Sequence, residues 1–123
     1  MPWKVYFHEE FEAEFDELAK EVQDEALANL RLLVEFGPRL GRPRVDTLNG
    51  SRYTNMKELR FDAGGGVWRI ALIFDPKRQA ILLCGGDKSG GSQRLFYRRL
   101  IARADQRYRK YLLKLKRERK RDT

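Results

Sequence analysis

Residues 67–83, VWRIALIFDPKRQAILL, hold two apolar runs separated by one short polar break. Each run has a strand's length and is rich in β-branched and aromatic residues. The break, DPKRQ at 75–79, places Pro76 where a tight turn wants a fixed φ. Two such runs so closely joined must pair as an antiparallel hairpin, and the rest of the chain has to cover that hairpin. One residue interrupts the first run. Seven of the eight residues from Val67 to Phe74 are apolar, and the eighth is Arg69.

Strand side chains alternate between faces. Trp68, Ile70, Leu72 and Phe74 form one bulky apolar face, expected to meet helices. Val67, Arg69, Ala71 and Ile73 form the other, expected to be barer and to carry the arginine. Met56–Phe61 reads as a further strand, joined to the hairpin by the glycine-rich turn DAGGG at 62–66. Arg60 is then expected beside Arg69, with Glu58 as a cross-strand ion-pair partner for Arg69.

The flanking segments supply the cover. WKVYF, Trp3–Phe7, is a short strand candidate. Phe11, Phe15, Leu18, Val22, Ala26, Leu30, Leu33 and Val34 fall three or four apart, which is a helical stripe. A break near Lys20–Asp24 would make it a helical hairpin, and Gly37-Pro38 ends it. Residues 37–55 read as a loop, and GGDKSGGS at 85–92 as a flexible one. A last helix starts near Gln93 and is expected to fray from about Lys114. The order β–α(α)–β–β–β–α is α+β, one compact domain with helices on one face of a small antiparallel sheet.

Charge is unevenly spread. Residues 1–36 hold 3 basic and 10 acidic groups, whereas residues 94–123 hold 13 basic and 3 acidic, in a chain of net charge +8. A basic back half suits a polyanion such as nucleic acid or a ribosome. Arg98, Arg99, Arg103, Arg107, Arg109 and Lys110 of the last helix are the candidates for that contact. They would equally suit an acidic protein partner or a merely solvated surface.

Several chemistries are excluded. One histidine, His8, rules out a two-histidine ribonuclease mechanism, and its place after the first strand suits a helix start. One cysteine, Cys84, rules out an internal disulfide, fits a reducing cytosol and reads as a core residue. No cysteine–histidine set has metal-ligand spacing. The loop at 85–92 lacks the spacing of a phosphate-binding loop, and Ser89 and Ser92 have no paired histidine. No run is long and apolar enough to span a membrane, and the early acidic residues are unlike a signal peptide.

The stretches DTLNGS (46–51), MKELRF (56–61), VWRIALIFDPKRQAILL (67–83), GGDKSG (85–90) and FYRRLIARAD (96–105) together resemble the RelE/ParE/HigB-type toxins of bacterial type II toxin–antitoxin systems. The likeness is to the phage-related, HigB-like branch and covers roughly residues 3–112. It implies a small antiparallel sheet with N-terminal helices and a C-terminal helix. It also implies a cytoplasmic, cofactor-free and metal-free endoribonuclease that cuts messenger RNA in the ribosomal A site and is blocked by an antitoxin. By the same likeness Arg69 matches the arginine after an aromatic residue in the central strand, and Lys88 the basic residue of the loop after the last strand. Tyr97 lies near a tyrosine at the head of the last helix, and Lys57 and Arg60 in a strand that supplies basic residues. Glu58 departs from the pattern, since the RNases favour lysine there. The resemblance leaves a ParE-like inhibitor of DNA gyrase open, and the residues alone leave open a non-toxic nucleic-acid-binding module.

If the chain is an RNase, Arg60 and Arg69 would neutralise a phosphorane. Lys57 or Lys88 would move protons, Tyr97 would stack on a base or relay a proton, and Asp87 would orient Lys88 or cap its loop.

Overall fold

A computed structural model describes residues 2–121. Its elements run β1 (Lys4–Phe7), α1 (Glu9–Asp16), α2 (Lys20–Phe36), β2 (Val45–Thr47), β3 (Met56–Ala63), β4 (Gly66–Asp75), β5 (Gln79–Asp87) and α3 (Gln93–Arg121). The sheet order is β1-β5-β4-β3-β2. The meander β3-β4-β5 is antiparallel, as its short turns require, and β2 adds antiparallel to β3. At the far edge β1 lies parallel to β5, because the whole helical hairpin intervenes before the chain returns.

The helical hairpin breaks at residues 17–19, just ahead of the expected position. Its helix starts are fitted to their charges. His8 caps α1, its Nδ1 accepting from the Glu10 N–H at 3.2 Å, and Glu9, Glu10 and Glu12 sit near the positive end of the helix. At its other end α3 runs past Lys114 as helix through Arg121.

The helices cover both faces of the sheet, which corrects the one-face expectation. Phe11, Phe15, Val22, Ala26, Leu30 and Leu33 of α1 and α2 pack on Leu59, Phe61, Ile70, Leu72 and Phe74. On the opposite face Leu100, Ala104 and Tyr108 of α3 pack on Met56, Ala71, Ile73, Ile81 and Leu83. The face expected to be bare is thus half covered. Ala71 and Ile73 are apolar enough to take a helix, and an apolar residue buried there contributes about 1.5–3 kcal/mol. A bulge where the β4–β5 register slips between Ala71 and Leu72 turns Leu83 and Cys84 to this same side. Cys84 is fully buried under α3, and burial pushes its thiol up to about 12, so it serves as core.

Only the end of that face escapes the helix. There Tyr97, in the first turns of α3, meets Arg69, and an open cleft remains beside them.

Candidate active site

Register makes the cleft. Arg60 of β3 and Arg69 of β4 are directly opposite each other, and Glu58 lies two residues before Arg60 on the same face. Two opposed cations repel and would splay their side chains. The Glu58 carboxylate lies between them and removes the conflict. Its Oε1 accepts from Arg60 Nε at 3.1 Å and is 3.2 Å from Arg69 Nε. It also accepts from the Tyr97 hydroxyl at 2.8 Å. Arg69 Nε donates to that hydroxyl at 3.3 Å, and its Nη1 donates to the Trp68 carbonyl at 2.9 Å. On the outer side Arg60 Nη2 reaches Asp46 Oδ2 at 3.3 Å.

Depth grades the cluster. The side chains are 5% exposed for Glu58, 11% for Arg69 and 35% for Arg60, so the anion lies innermost and the cations lead outward. They open into a cleft of about 410 Å³ that Lys88, Gln93 and Asn49 also line. Burial, with the bond to Glu58, holds the Tyr97 phenol above its ordinary value, against the pull of Arg69. Tyr97 therefore keeps its proton at neutral pH. The Thr47 N–H, then Arg42 and Arg60, hold Asp46 below the usual carboxylate range.

Lys88 is brought to the cleft by its loop. Asp87 Oδ1 accepts from Val67 N at 2.9 Å, Ser89 N at 2.8 Å and Ser89 Oγ at 2.6 Å. Those serine bonds hold its carboxyl below the usual range. Asp87 thus ties the loop to β4, while the Lys88 N–H donates to the Val67 carbonyl at 2.8 Å.

The structure gathers Arg60, Arg69, Lys88 and Tyr97 and leaves out Lys57. Strand alternation turns Lys57 to the side of Leu59 and Phe61, where its Nζ donates to Thr47 Oγ1 at 3.1 Å. Among the basic residues expected on α3, Arg107 is a correction. It falls on the buried stripe with Leu100, Ala104 and Tyr108. Its two terminal nitrogens grip both oxygens of Glu14 at 2.7 and 2.6 Å, and Nη1 also donates to the Leu83 carbonyl at 2.8 Å. It is an internal clamp between α1, α3 and β5. Lys110 is paired with Glu10 at 3.3 Å, while Arg98, Arg99, Arg103 and Arg109 are exposed.

Sequence reasoning treated Glu58 as a departure and a possible partner for Arg69; the structure makes it the hub. Asp46 and Gln93 gave no signal, since a three-residue edge strand and a helix start bring them in.

Among the described residues no helix is long and apolar enough to cross a membrane, and no three histidine, cysteine or carboxylate side chains gather to hold a metal ion.

The fold and the sequence have known relatives. The fold is similar to that of a mutant Escherichia coli toxin RelE in its free state, with a TM-score of 0.59 at 14% identity over 87% of this chain and 98% of that one. It is also similar to an archaeal RelE–RelB complex from Pyrococcus horikoshii OT3, with a TM-score of 0.54 at 18% identity over 74% of this chain and 100% of that one. Two proteins of Mycobacterium tuberculosis (strain ATCC 25618 / H37Rv) are nearer in sequence. One bears the toxin name HigB3 and is 54% identical over 81 residues, which is 66% of this chain and 68% of that protein. The other bears the toxin name HigB2 and is 43% identical over 96 residues, 77% of this chain but 47% of that longer protein. The profile of the family described as Phage derived protein Gp49-like (DUF891) matches residues 13–109. The chain belongs to this phage-derived Gp49-like family and to the HigB type of toxin, and it has the fold of the RelE toxins.

Proposed function

We propose that the chain is the toxin of a toxin–antitoxin pair and acts in the cytoplasm as a metal-free, ribosome-dependent endoribonuclease on messenger RNA. The observation that carries this reading is the Glu58 hub: one buried carboxylate, two guanidiniums and a phenol converge on an open cleft. A purely structural ion cluster has no use for the donors that Arg60 and Arg69 still turn toward solvent.

The chemistry follows from those groups. RNA cleaves when a 2′-hydroxyl loses its proton and its oxygen attacks the adjacent phosphorus, expelling the 5′-oxygen. The planar arginine forks would hold the phosphorane oxygens, as they match two oxygens at once. Glu58 is the acceptor for the 2′-hydroxyl proton. Tyr97, protonated at neutral pH, gives its proton to the leaving 5′-oxygen. The protonated Glu58 then returns a proton to the Tyr97 phenolate along their 2.8 Å hydrogen bond, and both groups are reset. Lys88 adds charge at the cleft's rim, and an antitoxin silences the enzyme by occupying the cleft or its approaches.

The test is induction of the chain without an antitoxin, followed by transcript mapping and plasmid topology in the same cells. Cleaved transcripts with unchanged supercoiling are expected. Intact transcripts with relaxed or broken DNA would overturn the reading in favour of a gyrase inhibitor. Normal growth with both intact would leave only a binding module.

A further inference from the structure

The loop before α3 and the helix's first turns have two sides. Lys88 and Gln93 line the cleft with Arg69, whereas their chain neighbours Asp87 and Ser92 line a second cleft of about 360 Å³. The floor of the second cleft is bare backbone at Gly85 and Gly86. A side chain at Gly86 would begin 3.1 Å from the Phe96 ring, so glycine there lets the ring lie directly on the strand. Along the wall stand Leu95, 41% exposed, and the two exposed arginines Arg99 and Arg103. The arginines are four residues apart and so share one side of the helix. Neither forms a salt bridge among the described residues, unlike Arg107 and Lys110 further along.

We infer, building on the RNA reading above, that this second cleft is a nucleotide subsite for the same single-stranded RNA whose scissile phosphate lies at Arg69. Arg99 and Arg103 hold a phosphate of that strand, and Leu95 with the edge of Phe96 takes a base. Unpaired arginines beside exposed apolar side chains suit a nucleotide, which is anionic on one side and flat and apolar on the other. The two clefts are separated by one helix, about 10–12 Å across with its side chains. A strand several nucleotides long spans that distance, and a dinucleotide does not.

The test measures binding of two RNAs made uncleavable by 2′-O-methylation, a hexanucleotide and a dinucleotide, to the wild type and two double variants. One variant is Arg99→Ala with Arg103→Ala. The other is Lys116→Ala with Arg119→Ala, which removes the same charge from exposed positions outside the cleft. The 99/103 variant is expected to weaken hexanucleotide binding at least tenfold. It should also flatten the slope of log affinity against log salt by about 0.7, the worth of one lost phosphate contact on a single strand. Dinucleotide binding should stay unchanged, and the 116/119 variant should stay near wild type.

Equal losses in the two double variants would reduce the effect to bulk charge and overturn the subsite. So would an equal loss for both RNAs, no hexanucleotide binding by the wild type, or a 99/103 loss confined to an acidic protein partner. A subsite failure beside intact messenger cleavage leaves the proposed activity standing, whereas subsite binding without any cleavage removes the activity and keeps the site.

Discussion

Half-buried Arg69 and buried Arg107 are both bonded to a glutamate, and they are built for opposite purposes. Arg107 spends its bonds inside the protein. Glu14 takes its two terminal nitrogens, the Leu83 carbonyl takes a further bond, and α1 is thereby fastened to α3 and β5. Arg69 is bonded through Nε and one bond from Nη1, and it faces a cleft. Its carboxylate is shared with Arg60 and Tyr97, so no single pair is closed. A closed pair stabilises the fold, whereas a shared one holds several side chains in position while leaving donors for a ligand.

Separating these roles by mutation gives the sharpest tests, and the largest expected effects lie at the open cluster. Glu58→Gln and Tyr97→Phe should each lower messenger cleavage by about 10²–10⁴, the usual worth of a positioned proton-transfer group. Arg69→Ala should cost about 10²–10³, as for loss of a donor to a developing oxyanion. All three are read from single-turnover cleavage rates, with circular dichroism to establish that each variant is folded. Arg107→Ala should do the reverse. It should lower unfolding free energy by about 2 kcal/mol in a urea titration, less than the roughly 3–5 kcal/mol for breaking a fully buried pair because Glu14 can rehydrate. Cleavage below the melting temperature should stay near wild type. A catalytic loss in Arg107→Ala as large as in Arg69→Ala would erase the distinction.

A smaller contrast divides the lysines. Lys88→Ala removes a charge at the cleft's rim and should weaken cleavage about tenfold, the worth of roughly 1.4 kcal/mol. Lys57→Ala, on the other face, should stay within about twofold, as surface substitutions do. Equal losses would place both lysines on the RNA.

The smallest effect concerns the clamp end. Burial, with Arg107 and Lys110 opposing Glu10 and Glu9, depresses the pKa of His8 below 6.5. The unfolded chain therefore binds the His8 proton more readily than the folded one, so stability is full above about pH 6.5 and is lost as pH falls through the lowered value. Protonated Nδ1 also cannot accept the Glu10 N–H. His8→Asn keeps a capping oxygen without the titration and should flatten the pH dependence of the melting temperature just below pH 6.5. An unchanged slope would show that His8 does not carry it.

Much of this was legible in the sequence, and the failures have physical causes. The hairpin 67–83 announced itself through two apolar runs and a proline turn, and strand parity placed Arg60, Glu58 and Arg69 together. Parity alone also excludes Lys57 from their face, and the helical stripe through Leu100, Ala104 and Tyr108 alone marks Arg107 as buried. Both signals are present, but the family likeness sets Lys57 among the catalytic residues and positive charge sets Arg107 on the surface. β2 gave no signal, because three residues among prolines and glycines have no period to detect. The choice of face for α3 was equally hidden. Ala71 and Ile73 suit either solvent or a helix, and only the long-range packing decides between them.

The most direct test of the central claim is primer extension on messenger RNA held in programmed 70S ribosomes, comparing the wild type with Arg69→Ala and Arg107→Ala below their melting temperatures. Cuts in the A-site codon by the wild type and Arg107→Ala, faded by two orders of magnitude or more in Arg69→Ala, are the predicted result. No cuts by folded wild type, or undiminished cuts in Arg69→Ala, would contradict the assignment of the open cluster as the catalytic one.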